Sequence, residues 1–232
     1  MSKKNNSNYE TYSEFKNKFF HKIFQNIIFV ARKKFFFYFK IHTNYTDEKS
    51  VIDIGTTPSL DYEQNVFLEK TKNNKRVTCL SNQDCRILLE KYKNIKEIII
   101  GDGKKTNFSN NYFDIVHSNA TIEHVGSFKN QIAFVKEMLR ITNHYVFIQT
   151  PNRFYPIDFH TIIPFIHWLP KNIHRKILKL FKMNFYAQED NINLLSKKEL
   201  IKICKILHIN QYKIIEHKLF FFTSNFILII KK

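Results

Sequence analysis

Small and polar residues follow four short apolar runs in this chain. Asp53 leads into Gly55 and Thr56; Ser81 and Asn82 come next, with Asp84 two places on. Asp102 and Gly103 end a third run, and Ser118, Asn119 and Ala120 a fourth, with Glu123 and His124 just beyond. In an open α/β sheet a ligand lies beyond the carboxyl ends of the strands, so four such ends in succession point to one cofactor cleft. A pyrophosphate does not suit it. Backbone cradling of phosphates needs a glycine-rich turn with several free N–H groups, and the first turn here has one glycine and a proline. GxxxxGK[ST] is absent, which removes the common nucleotide-hydrolase reading, and a Gly-x-Ser-x-Gly elbow is missing too. What remains is a nucleoside-containing cofactor without a pyrophosphate.

Imidazole titrates near neutrality, so His124, His160 and His167 are candidate bases. Glu123 and His124 are adjacent potential metal ligands, but no third ligand is evident beside them, and no metal is expected. Residues 151–196 hold four of the five prolines and interrupt the regular pattern, forming a substrate-side insertion. Phe154, Tyr155, Phe159, Phe165 and Trp168 would wall an acceptor site there, with Arg153, Asp158, His160 and His167 as polar handles.

The elements that must position these groups follow from periodicity. Strands are expected at residues 50–54, 76–80, 97–100, 113–117 and 145–149, and helices at 62–70, 84–92 (Asp84 as N-cap) and 128–141. After the insertion, with its helix near 172–181, come a helix at 197–207 and strands at 212–222 and 225–230 turning at Thr223-Ser224. Alternating strands and helices with short connections indicate a doubly wound sheet. Residues 1–14 are polar. From 15 to 40, Phe20, Phe24, Ile27, Ile28 and Ala31 recur at helical spacing, Arg32 to Lys34 interrupt, and Phe35 to Phe39 form a second apolar patch. That stretch either packs across the domain or rests on an anionic membrane surface. The expected organisation is an extension over 1–49 and a main domain over 50–232.

Composition bounds the rest. Hydrophobic residues at 44% and aromatics at 16% exclude a disordered chain. Cys79, Cys85 and Cys204 have no CxxC spacing, which excludes a disulfide scaffold or thiolate zinc site and favours a reduced compartment. No uncharged apolar run reaches the roughly 18–20 residues of a membrane span, and no secretory signal is expected at residues 1–9. The location expected is cytoplasmic, peripheral at the inner membrane face if residues 15–40 meet lipid. The net charge of +17 is uneven: ten Lys and Arg oppose four Asp and Glu in residues 1–50, thirteen oppose eleven in 51–150, and fourteen oppose five in 151–232. The near-neutral middle, where the strand ends cluster, argues against nucleic acid as partner.

VIDIG (51–55), GDG (101–103) and above all FDIVHSNATIEHV (113–125) resemble class I S-adenosylmethionine-dependent methyltransferases of the type 11-like group, over roughly residues 34–232. The resemblance implies a Rossmann-like, seven-stranded mixed sheet with a C-terminal antiparallel hairpin, and S-adenosylmethionine as cofactor. It implies that Asp53, Gly55 and Thr56 line the amino-acid end and that Asp102 approaches the adenine amine beside Gly103. Ser118, Asn119 and Ala120 would border the methionine moiety. Two departures stand out: GxGxG is reduced to Gly55, and the acidic ribose ligand ending strand two is replaced by Ser81-Asn82, leaving Asn82 or Asp84 for the ribose. A degenerate binding or scaffold protein is therefore an alternative, as is a nucleic-acid or protein methyltransferase. The expected reaction is methylation of a small-molecule, sugar or lipid-linked hydroxyl, with His160 as general base and His124 shaping the methyl-transfer end. Oligomeric state is not legible in the sequence.

Overall fold

The computed structural model describes residues 18–232, with side chains from residue 26 onward. The polar start and the side chains of Phe20 and Phe24 lie outside the described residues. Helix α1 (Lys18–His42) is followed by β1 (Val51–Ile54), α2 (Val66–Lys70), β2 (Val77–Ser81), α3 (Leu88–Lys91), β3 (Ile95–Ile100) and β4 (Phe113–Asn119). Then come α4 (Phe128–Ile141), β5 (Thr142–Pro151), α5 (Lys171–Leu180), α6 (Lys197–Ile206), β6 (Tyr212–Leu219) and β7 (Phe222–Lys231). The seven strands form one sheet in the order β3-β2-β1-β4-β5-β7-β6, with β1 to β5 parallel and β7 antiparallel to both β5 and β6. The expected mixed, doubly wound architecture is what the chain adopts.

Both faces of the sheet are covered, which is why its central strands read as continuous apolar runs. On one face α4 and α6 pack Phe134, Met138, Leu200 and Ile203 against Ile52, Val116 and Ile148. Ser127 caps α4 by accepting from the Asn130 N–H, and Ser196 with Glu199 forms a capping box on α6. On the other face α1 lays Phe35 and Phe39 over Val51, Ile115, Phe147 and Ile229. The Phe39 ring is fully buried, with Tyr45, Phe67, His117 and Phe147 centred 5.1–5.4 Å away. All three cysteines are buried and unpaired.

Four local expectations are corrected. Helix α1 runs unbroken through Arg32, Lys33 and Lys34; the two lysines are exposed, and Arg32 turns to the sheet side. The helix expected from residue 62 starts at Val66, because a turn accepting at the Asp61 carbonyl precedes it and the Asn65 amide is tied to the Thr57 and Ser59 carbonyls. Asp84 caps no helix: its carboxylate accepts from the Arg86 backbone N–H and guanidinium, a local bond that competes with helix formation, and α3 begins four residues later. The terminal hairpin turns at Phe220-Phe221 and not at Thr223-Ser224, which lie inside β7. Phe220 adopts φ 50°, and the strands slip register at His217/Lys218, so a bulge decides the turn against the residue types that usually make one.

Because Phe39 joins α1 to the sheet, Phe39→Ala should cost about 3–5 kcal/mol of unfolding free energy. Denaturant titration would measure it. A cost below about 1 kcal/mol would mean that α1 is only loosely seated.

Candidate active site

Parallel register sets the site. Asp53 on β1 is the Cα partner of His117 on β4, which is in turn the partner of Phe147 on β5. His117 Nδ1 donates to Asp53 Oδ1 at 2.6 Å, and the Thr56 hydroxyl donates to Asp53 Oδ2 at 2.9 Å. The imidazole is stacked between Phe67, 4.1 Å between centroids, and Phe147, 5.5 Å. Both carboxylate oxygens are thereby satisfied in a buried position, so Asp53 shapes the first loop from beneath. Gly55 turns that loop with φ +93°, and a Cβ there would lie 2.0 Å from the Thr121 hydroxyl. Only glycine meets both conditions.

A cleft of about 710 Å³, measured to its open mouth, lies above this pair. Asp53, Gly55, Thr56, Asn119 and Ala120 all line it, so five of the expected cofactor contacts share one cleft. Its far wall is α1 with Arg32, Phe35 and Phe36, joined by Phe67 and His117. Two observations suit a polar, zwitterionic guest. The Asn119 side-chain oxygen is buried without a hydrogen-bond partner, and Arg32 brings a guanidinium to the wall. Ala120 is held at φ 51°, an uncommon conformation for a non-glycine residue and one that clusters at functional sites.

The remaining expected contacts stand elsewhere. Ser118 is fully buried and donates to the Ile54 carbonyl, tying β4 to β1. Gly103 sits against the core, where a Cβ would meet Ile54 and Phe134 at 2.8 Å. Asp102 pairs with Lys104 at 3.0 Å, Asp84 pairs with Arg86, and Asn82 is exposed. None of these five lines the cleft.

A second group of side chains lies beyond β4 and β5. Glu123, His124 and His160 bring three potential ligand atoms within 4.8 Å of one another. The Thr150 hydroxyl donates to Glu123 Oε2 at 2.9 Å, while Glu123 Oε1 is buried without a partner. His124 Nδ1 donates to the Asn191 carbonyl at 2.7 Å, and His160 Nδ1 to Asp158 Oδ1 at 3.0 Å. Burial pushes the Glu123 carboxyl up to about 7 and, with the neighbouring His160, the His124 imidazole down to about 4. Against the cost of burial, the Asp158 carboxylate raises His160, and His160 holds Asp158 well below the usual carboxylate range. Opposed shifts in adjacent titratable groups are an arrangement that acid–base chemistry can use.

In the insertion, Tyr155 is buried, whereas Phe154, Phe165 and Trp168 are exposed. A shallow recess there is lined by Arg153, His167, Lys171, His174 and Arg175. His167 Nε2 donates to the Tyr155 carbonyl at 2.6 Å, which gives that ring a bracing role. Sequence reasoning missed Arg32, Phe67 and His117 as site residues. His117 carried a signal, since it stands on the same strand face as Ile115, but its partner is 64 residues away.

Residues 64–145 match the family model described as methyltransferase domain. No curated protein matches the chain. Among solved structures, a SAM-dependent methyltransferase from Archaeoglobus fulgidus aligns at TM-score 0.58 and 15% identity, covering 92% of this chain and 98% of that one. A SAM-dependent methyltransferase from Methanosarcina mazei aligns at 0.55 and 15%, covering 83% and 96%. The N-methyltransferase NodS from Bradyrhizobium japonicum aligns at 0.52 and 8%, covering 87% and 95%. These likenesses establish the fold. Residues 64–145 thus match a methyltransferase domain, and the whole chain has the fold shared by S-adenosylmethionine-dependent methyltransferases.

Gly55→Ala should lower stability by at least about 1–2 kcal/mol through its left-handed conformation alone. By driving the loop from Thr121 it should also weaken cofactor binding, which calorimetry would detect. A folded variant with undiminished affinity would remove this loop from cofactor contact.

Proposed function

We propose that the protein transfers a methyl group from S-adenosylmethionine to a hydroxyl of a small-molecule, sugar or lipid-linked acceptor. When bound, the cofactor supplies an activated methyl on a sulfonium, so the protein's task is alignment and exclusion of water. Asn119 and the Gly55 loop would hold its amino-acid end, with Arg32 facing the carboxylate. Asn82, Asp84 and Asp102, with Gly103 behind, are assigned to the ribose and adenine end, and Ser118 to the support of the methionine end.

The observation that carries the acceptor reading is the Asp158–His160 pair beside Glu123 and His124. Asp158 keeps the Nδ1 proton of His160 in place, which leaves Nε2 to take a proton from an acceptor hydroxyl. His124 shapes the methyl-transfer end. A general base contributes roughly 10²–10⁴-fold to rate, so His160→Ala should lower turnover by that factor with cofactor affinity within about twofold. Unchanged turnover would show that the acceptor arrives already ionised or reacts through an unprotonated nitrogen. A search for co-purified metabolites would identify the acceptor.

A lipid-linked acceptor is supported by exposed apolar side chains at the hairpin tip and on α5. Among the described residues no helix is long and apolar enough to cross a membrane. Phe221 at the hairpin tip is nevertheless 95% exposed and Leu180 on α5 is 80% exposed, with Phe181 and Phe220 beside them. Lys176, Lys179, Lys182 and Lys218 stand among these residues in the sequence, the pattern of an interfacial surface facing anionic lipid. On α1 the burial of Phe35 and Phe39 supports packing over lipid contact, with Val30, Phe37 and Ile41 left exposed. The protein should sediment with anionic vesicles and be released by salt. Changing Leu180, Phe181 and Phe221 together to Ser should abolish sedimentation; equal recovery with neutral vesicles, or no effect of the triple change, would point to a soluble acceptor.

A further inference from the structure

We propose that Glu123, His124 and His160 bind a divalent transition-metal ion. The sequence shows only the adjacent pair; folding adds the third ligand from the insertion, 36 residues after His124 in the numbering. The three ligand atoms lie within 4.8 Å of one another, a set that small side-chain rotations close onto bonds of about 2.0–2.2 Å.

The stronger argument is how each ligand is held. Each histidine donates its Nδ1 proton to an oxygen acceptor, His160 to Asp158 at 3.0 Å and His124 to the Asn191 carbonyl at 2.7 Å. That leaves Nε2 of each ring as the available ligand atom. Metal-binding histidines are oriented in this way by a carboxylate or carbonyl on the other nitrogen. Glu123 follows the same logic, since Thr150 fixes Oε2 at 2.9 Å while Oε1 stays buried with no partner. A fully buried carboxylate oxygen without a donor is costly unless a proton or a metal cation meets it.

The donor set selects the ion. Two imidazoles and one carboxylate suit manganese, iron, cobalt or zinc(II), whereas magnesium and calcium prefer all-oxygen shells. Three protein ligands leave at least one position open, and the His160 side chain is 14% exposed, so an acceptor oxygen can reach the ion. This deepens the acceptor reading above and rests on it for the ion's purpose: the ion would hold and polarise the acceptor oxygen. With Nε2 of His160 on the ion, the ion would lower the pKa of the acceptor hydroxyl in place of the free imidazole, so the acceptor reading is kept and the base role of His160 is replaced.

The test uses the full chain, stripped with a chelator and dialysed against cobalt(II) or zinc(II). About one ion per chain should be retained, cobalt should show the visible bands of a nitrogen- and oxygen-ligated ion, and the unfolding temperature should rise. Glu123→Gln and a His124→Gln/His160→Gln double change should abolish all three effects. Asp158→Asn, which loosens only the orientation of His160, should weaken binding about 10–100-fold. Wild-type protein that retains no ion, or variants that bind as tightly as wild type, would overturn the proposal. Should the variants fail to fold, the cobalt spectrum and thermal shift of wild type alone decide it. Calorimetry with S-adenosylmethionine on stripped protein separates the two readings: cofactor binding without ion uptake refutes only the metal site, and ion uptake without cofactor binding refutes only methyl transfer.

Discussion

The hydrogen bond between Asp53 and His117 is the constraint on which the rest of the site depends. It joins two neighbouring parallel strands at the same register position, deep under an aromatic layer from α1, α2 and β5. Parallel strands have no tight turn to fix their alignment, and a slip of one residue would move every side chain to the opposite face. Here a slip would leave a buried carboxylate and a buried imidazole without their hydrogen-bond partners, which costs the desolvation of each. The pair therefore selects the register in which Gly55 and Asn119 open at the same height above the sheet. Burial of the aromatic layer supplies the stability, and the polar pair within it supplies the alignment.

Much of the architecture was legible because the central strands are covered on both faces. Runs such as VIDI and FDIVH have no fully exposed residue to break them, and the polar residues that end them mark the sheet edge where ligands lie. Legibility failed where local hydrogen bonding competed with periodicity. Asp84 looked like a cap but satisfied itself on Arg86, and Asn65 spent its side chain on the preceding loop. At the hairpin the reading relied on small polar residues, whereas the turn was decided by the slip at His217/Lys218 and by long-range pairing of β7 with β5.

The candidate site divides along the same line. Groups following strand ends were found because sequence position and spatial position coincide there, as for Gly55, Asn119 and Ala120. Groups whose meaning depends on a distant partner were not. Arg32 read as a break in a helix until the helix proved continuous and brought it to the cleft wall. Ser118 and Gly103 fell at the right strand ends, yet the backbone uses them, one to bond the Ile54 carbonyl and one to admit Ile54 and Phe134. A strand end offers alternate side chains to ligand and to core, so position alone does not separate the two uses.

The segment from Asn119 to His124 joins the two halves of the site. Asn119 lines the cleft, Ala120 turns the chain with a positive φ, Thr121 closes against Gly55, and Glu123 and His124 enter the cluster with His160. Six residues thus reach from the cleft to the cluster through a strained turn and a short helical turn. Their anchors are buried: Gln131 donates to the Ile122 carbonyl, the Asn193 N–H to that of Glu123, and Thr150 to the Glu123 carboxylate. A segment tied down so fully has little freedom to adjust one end without the other. Strain at Ala120 persists because its surroundings over-determine it, and the consequence is a fixed spacing between the cleft and the Glu123–His124–His160 cluster. Fixed spacing is what in-line transfer requires, since small misplacements of the reacting atoms cost large factors in rate.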